Sequence, residues 1–170
     1  MMKKIFSLLS LVLLLILVAC GNDTNQSTDQ SKNTETKKQE EPKEYTAKDV
    51  INKLKEAGLS IDKTVEFTEE TDVNELLGRP GQYIAKANFS VKELEENGNP
   101  DMDIEQGGSV EIFANEKDAK NRFDYISEVT KSSPMLSEYD YIHGKMILRL
   151  SNKVLPSKAK EYQKAFESLN

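Results

Sequence analysis

Three carboxylates at alternate positions, Asp101, Asp103 and Glu105, have the spacing with which a loop wraps oxygen ligands around calcium. An EF-hand needs glycine at position six and a bidentate glutamate at position twelve. Counted from Asp101 those positions hold Gln106 and Ile112, so an EF-hand is excluded. With Glu93, Glu95 and Glu96 the three form an acidic loop over 92–106, either solvated or a weak calcium site. His143 is the only histidine, and a general base needs a nucleophile or an oriented carboxylate beside it. No Ser-His-Asp set and no metal-ligand spacing is readable around it, so its plainer reading is a half-exposed residue at a turn. Tyr139 and Tyr141 offer aromatic contact area for a partner, or belong to the core. Gly107-Gly108 lacks the surroundings of a phosphate-binding loop and fits a bulge or the tight start of a strand.

These residues must be positioned by elements that the pattern marks out. Thr46 with Asp49 predicts a helix N-terminus, and Val50, Ile51, Leu54 and Ala57 repeat at helical spacing up to Gly58. Asp72 and Glu75 predict a capping box for a short helix over Val73–Leu77, before a turn at Arg79-Pro80-Gly81. Residues 82–90 alternate, with Tyr83, Ala85, Ala87 and Phe89 on one face of a strand. Gly107-Gly108 introduces a second strand, with Val110, Ile112 and Ala114 inward. Asn115 caps a helix that buries Ala119, Phe123, Ile126 and Thr130 and ends at Ser132-Ser133-Pro134.

Gly144-Lys145 fits a two-residue hairpin turn with glycine first. That register pairs His143 with Met146, Tyr141 with Leu148 and Tyr139 with Leu150. On the other face it pairs Ile142 with Ile147 and Asp140 with Arg149, the latter read as a surface pair worth about 0–1 kcal/mol. This second face is only half polar, so part of it needs a cover. Pro156 opens a terminal helix whose inward stripe is Ala159, Tyr162, Ala165, Phe166 and Leu169. The expected fold is α+β: a four-stranded antiparallel sheet from two hairpins, with helices packed mainly on one face.

Composition divides the chain of 170 residues. Residues 1–20 hold 16 hydrophobic residues, residues 21–44 none, and residues 45–170 hold 47. Only the last segment can bury a core, and its length suits a single domain. Residues 21–44 carry six acids and four lysines among Ser, Thr, Asn and Gln. With nothing apolar to offset the ordering cost, they read as a disordered tether with a root-mean-square reach of roughly 25–30 Å. The domain, with 17 basic and 23 acidic residues, is a poor match for nucleic acid.

Lys3 and Lys4 precede an apolar run, Ile5–Val18, too short to span a ~30 Å hydrocarbon core but suited to a signal peptide. The run closes on Leu17-Val18-Ala19-Cys20-Gly21, which resembles the lipobox of bacterial lipoproteins. That resemblance implies cleavage before Cys20, the chain's only cysteine, and a diacylglyceryl thioether on it. Two acyl chains anchor stably where one does not. The organisation expected is a signal peptide at 1–19, lipidated Cys20 with its tether to residue 44, and an extracellular domain at 45–170.

A longer set of stretches carries a second resemblance: Glu75–Tyr83, Gly107–Phe113, Asn115–Arg122, and Leu148–Ser151 with Glu161, Tyr162 and Phe166. Together they resemble a group of small lipoproteins of Gram-positive bacteria, in the manner of bacilli. The resemblance implies a membrane-anchored extracellular α+β domain and brings no activity and no catalytic residues. The expectation is a non-enzymatic binding module on the outer face of the membrane, without a cofactor. Its partner would be an envelope protein, a wall polymer, or a phage or toxin component. The rivals are a small envelope hydrolase using carboxylates of the acidic loop, and a calcium-dependent adhesion or sensing domain.

Overall fold

The computed structural model describes residues 44–94 and 104–170. The first helix, α1 (Ala47–Glu56), starts at an extended Thr46 whose hydroxyl accepts from the Asp49 N–H at 3.1 Å. The Asp49 carboxylate accepts from the Thr46 N–H in return, so two amides that helix geometry leaves orphaned are satisfied. Ala47, Val50, Ile51 and Leu54 form its buried stripe.

Five strands follow, not four. They are β1 (Ile61–Glu66), β2 (Tyr83–Val91), β3 (Gly107–Phe113), β4 (Glu138–His143) and β5 (Met146–Ser151). They form one sheet in the order β1-β2-β3-β5-β4 with every neighbour antiparallel. The additional strand is β1, which pairs with β2 and carries a register shift between Ile61 and Thr64. The shift breaks the alternation by which a strand is read, and Ile61 is its only fully buried residue.

Helix α2 (Glu116–Ser132) connects β3 to β4, and α3 (Pro156–Glu167) closes the chain. Asn115 caps α2 by accepting from the Asp118 N–H at 3.0 Å. The β4–β5 hairpin has the register that its alternation predicts, from Tyr139–Leu150 to His143–Met146. Its first turn residue, Gly144, has φ +56°, the left-handed value that this turn demands.

Alternate residues of the strands feed two apolar clusters. The larger takes Ala87, Phe89, Val110, Ile112, Leu148 and Leu150 from the sheet, with the buried stripes of α1 and α3. Phe89 stacks on Tyr162 at 6.0 Å between ring centroids. The smaller takes Tyr83, Phe113 and Ile147 with Ala119 of α2.

Tyr83 is a correction. A register shift between Tyr83 and Ala85 moves it off the face of Ala87 and Phe89, and its ring meets Phe113 edge-on at 6.2 Å. Strand β3 ends at Phe113, which leaves Ala114 exposed rather than inward.

The expected helix over Val73–Leu77 is a series of turns. Asp72 does accept backbone hydrogens, but from Leu76 at 3.0 Å and Leu77 at 3.1 Å, one and two residues beyond the capping position. Glu75 has φ +52° and its carboxylate meets Arg79, so it closes no capping box.

Gly107 and Gly108 are required by proximity. A Cβ on Gly107 would lie 2.2 Å from the Phe89 carbonyl oxygen, and one on Gly108 would lie 2.4 Å from that of Arg149. The strand therefore starts tightly between β2 and β5, as the paired glycines suggest.

Candidate binding groove

On the strand positions that alternate with the larger cluster, the side chains are polar yet buried. Lys86 and Glu111 are register partners across β2 and β3, and Ser109 and Arg149 across β3 and β5. Glu111 and Ser109 are 0% exposed, and Lys86 is 6% exposed. Such burial of charge is tolerable only where the charges are paired and their hydrogen bonds made.

Pairing is provided from both sides. Arg122 of α2 donates through Nε and Nη2 to the Glu111 carboxylate at 3.1 and 3.3 Å. Arg149 donates through Nη1 to the same carboxylate at 3.1 Å. Its Nε and Nη2 hold Glu138 at 2.9 and 2.7 Å. Asp140 stands 3.8 Å from the Arg149 Nε. The Asp140–Arg149 pair is thus no isolated surface pair but the margin of a buried network centred on Glu111.

Beside it, Lys86 Nζ donates to Asp72 at 2.8 Å and the Tyr83 hydroxyl donates to the same carboxylate at 2.6 Å. The Lys86 ammonium also lies 4.7 Å from the centroid of the Phe67 ring.

The network sets the protonation of its members. Burial and the neighbouring Glu138 push the Asp140 carboxyl up to about 8, against the partial opposition of Arg149. Burial also acts to raise Asp72, but Lys86, Tyr83 and the Leu76 N–H outweigh it and hold that carboxyl well below its ordinary range. Arg149 is driven further toward its charged form, since Glu111 and Glu138 overcome its desolvation. Three carboxylates (Glu111, Glu138 and Asp140) face two guanidiniums, and a proton on Asp140 balances the set.

This polar layer floors a groove of about 450 Å³. Lys86, Ser109, Arg122 and Arg149 lie at its base; Ile126, Val129, Met135 and Leu136 form an apolar wall. Its rim is unusually apolar for solvent-facing surface: Met135 is 95% exposed, Val73 71%, Tyr125 59% and Leu136 57%. Among the described residues six large hydrophobic side chains are exposed and these are four of them, so the exposed apolar surface is concentrated at one place. At the base the Ser109 hydroxyl oxygen is buried without a hydrogen-bond partner among the described residues.

The residues singled out from the sequence lie elsewhere or at the margin. Cys20, Asp101 and Asp103 fall outside the described residues. Glu105 lines the groove, where its exposed carboxylate pairs with Lys153 at 2.6 Å. Among the described residues no group of three or more His, Cys, Asp or Glu side chains is placed to hold a metal ion. Tyr139 and Tyr141 are half-buried and pack against the larger apolar cluster. His143 bonds through Nε2 to the Leu169 carbonyl at 2.8 Å and sits edge-on to Phe166 at 6.0 Å. It ties the end of the chain to the hairpin and takes no part in the groove.

Sequence reasoning missed the groove because Lys86, Ser109, Glu111 and Arg149 alternate with apolar residues and so read as solvent-facing. The available signal was their charge: a lysine, a glutamate and an arginine on neighbouring strands, and a second arginine on the covering helix. Among the described residues no helix is long and apolar enough to cross a membrane. Comparison with protein families, with curated proteins and with solved structures finds no match.

Proposed function

We propose that the protein is a lipoprotein of the outer face of the cytoplasmic membrane, acting as a non-enzymatic binding module whose partner enters the groove between α2 and the sheet. Support for the anchor is the sequence Leu17-Val18-Ala19-Cys20 after a short apolar run, with a tether of residues 21–44 to hold the domain away from the lipid. The partner class is an envelope protein, a wall polymer, or an incoming phage or toxin component. One observation carries the binding reading: a cleft of ligand size with most of the exposed large apolar side chains around its mouth. Its charged groups are engaged with one another in ion pairs, an arrangement suited to holding a surface in shape rather than to attacking a substrate. The rival hydrolase needs a free acid and base. Glu105, the described carboxylate of the acidic loop that lines the groove, is engaged by Lys153.

The test is site-specific photocross-linking in intact cells. A photoreactive residue at Leu136, on the groove rim, should give discrete cross-linked products. The same residue at Leu155, which is 67% exposed and outside the groove, should not. Turnover of an envelope substrate by residues 40–170, abolished by substituting a groove carboxylate, would overturn the non-enzymatic reading.

A further inference from the structure

The groove's chemistry narrows its ligand, on the premise that the groove is a binding site. We infer that it takes a short, extended, uncharged stretch of polypeptide bearing apolar side chains.

The floor has hydrogen-bond donors to spare. Lys86 has three N–H groups and gives one to Asp72. Arg122 has five and gives two to Glu111. Ser109 presents a buried hydroxyl with no partner among the described residues. Leaving such groups beneath a ligand that has no acceptors costs their full desolvation, which excludes a plain acyl chain.

Charge excludes a free anion as the preferred ligand. The Arg122 and Arg149 guanidiniums are already matched by Glu111 and Glu138, and the chain carries a net charge of −6. A carboxylate or phosphate would lose its hydration and meet no excess of positive charge. Amide carbonyls lose far less on entering and can accept from Lys86, Arg122 and Ser109. The lone pairs of Glu138 can take amide hydrogens in exchange.

The rim decides between a polypeptide and a glycan. Three of the four rim residues, Val73, Met135 and Leu136, are aliphatic or thioether surfaces, which gain most by burying apolar side chains; Tyr125 is the one aromatic side chain among them. Polypeptide is the polymer that brings amides and apolar side chains in one strand.

The chain contains no tryptophan, so Met135→Trp places a single indole reporter on the groove rim, and Leu155→Trp places one outside it. Strand pairing and both apolar clusters lie within residues 44–170, and Glu40–Asn170 is a compact unit by itself, so this fragment is used. An array of acetylated, amidated nonapeptides is screened, and the best binders are titrated beside decanoate and the trimer of N-acetylglucosamine. The expected result is a saturable blue shift with peptide for Met135→Trp only. Ser109→Ala should weaken that binding by roughly two- to tenfold while leaving the circular dichroism unchanged. The inference is overturned by an array without binders, by peptides that move both reporters alike, or by tighter saturation with decanoate or the sugar trimer. Cross-linking from Leu136 in cells would persist in each of those cases if the groove binds something else, and would vanish if the groove binds nothing.

Discussion

Glu111 is the side chain on which the buried charge network depends, and replacing it by glutamine tests that dependence. Glutamine keeps the volume and one acceptor oxygen but removes the charge, and its amide hydrogens face the guanidiniums. Arg149 would retain Glu138 at 2.7 Å. Arg122, whose side chain is 11% exposed, would lose its carboxylate partner. Removing one partner from a buried pair costs about 3–5 kcal/mol, against a total domain stability of about 5–15 kcal/mol. For a domain of this size 1 kcal/mol corresponds to about 4 °C, so the melting midpoint of residues 40–170 at pH 7 should fall by about 12–20 °C.

Far-UV circular dichroism measures the midpoint, and urea unfolding with an unchanged slope shows that the native state itself has been weakened. Glu66→Gln is the control, since it breaks an ion pair that is about half exposed on both sides. Its midpoint should scarcely move. The double variant Glu111→Gln with Arg122→Met should lose less than the sum of its single variants, because the orphaned guanidinium is removed as well. A Glu111→Gln midpoint within about 4 °C of wild type, or strict additivity in the cycle, would refute the reasoning.

Two further predictions concern the titrating carboxyl and the anchor. Asp140 has a folded-state pKa of about 8 against an ordinary value of 3.8, so its stabilisation is full below pH 4 and is lost as pH rises through 8. Asp140→Asn should therefore flatten the fall in melting midpoint between about pH 4 and pH 8; an equally steep fall in the variant would assign that proton to another group. Cys20→Ala should leave an unlipidated protein, either released or retained as precursor, and palmitate labelling that survives the substitution would disprove the lipobox reading.

What could be read from the sequence follows a physical division. The β4–β5 hairpin was legible because a two-residue turn with glycine first leaves one register in which every cross-strand pair is compatible. Helix α1 was legible because Thr46 and Asp49 cap it reciprocally. Strand β1 was not, since a bulge interrupts a sequence, Ile61–Glu66, with one fully buried residue. Tyr83 was assigned to the wrong face for the same reason, because a single extra residue inverts the alternation.

The groove was hidden by a different effect. A lysine, a serine, a glutamate and an arginine at alternate strand positions are indistinguishable from a solvated face until a helix supplies the counter-charge. Arg122 supplies it from α2, eleven residues further along the chain than Glu111, once that helix folds back over the sheet. The rim was not legible: Met135 and Leu136 follow Pro134 in a short turn, and nothing local distinguishes exposed apolar residues from buried ones.

The central claim is that the groove between α2 and the sheet receives a partner at the cell envelope. Photocross-linking from Leu136 in intact cells, with the full-length chain and Leu155 as the comparison, tests it most directly. The account predicts discrete products from Leu136 that disappear when the groove wall is blocked by Val129→Arg in a chain that still folds. Identical product patterns from both positions, or none from Leu136, would contradict it.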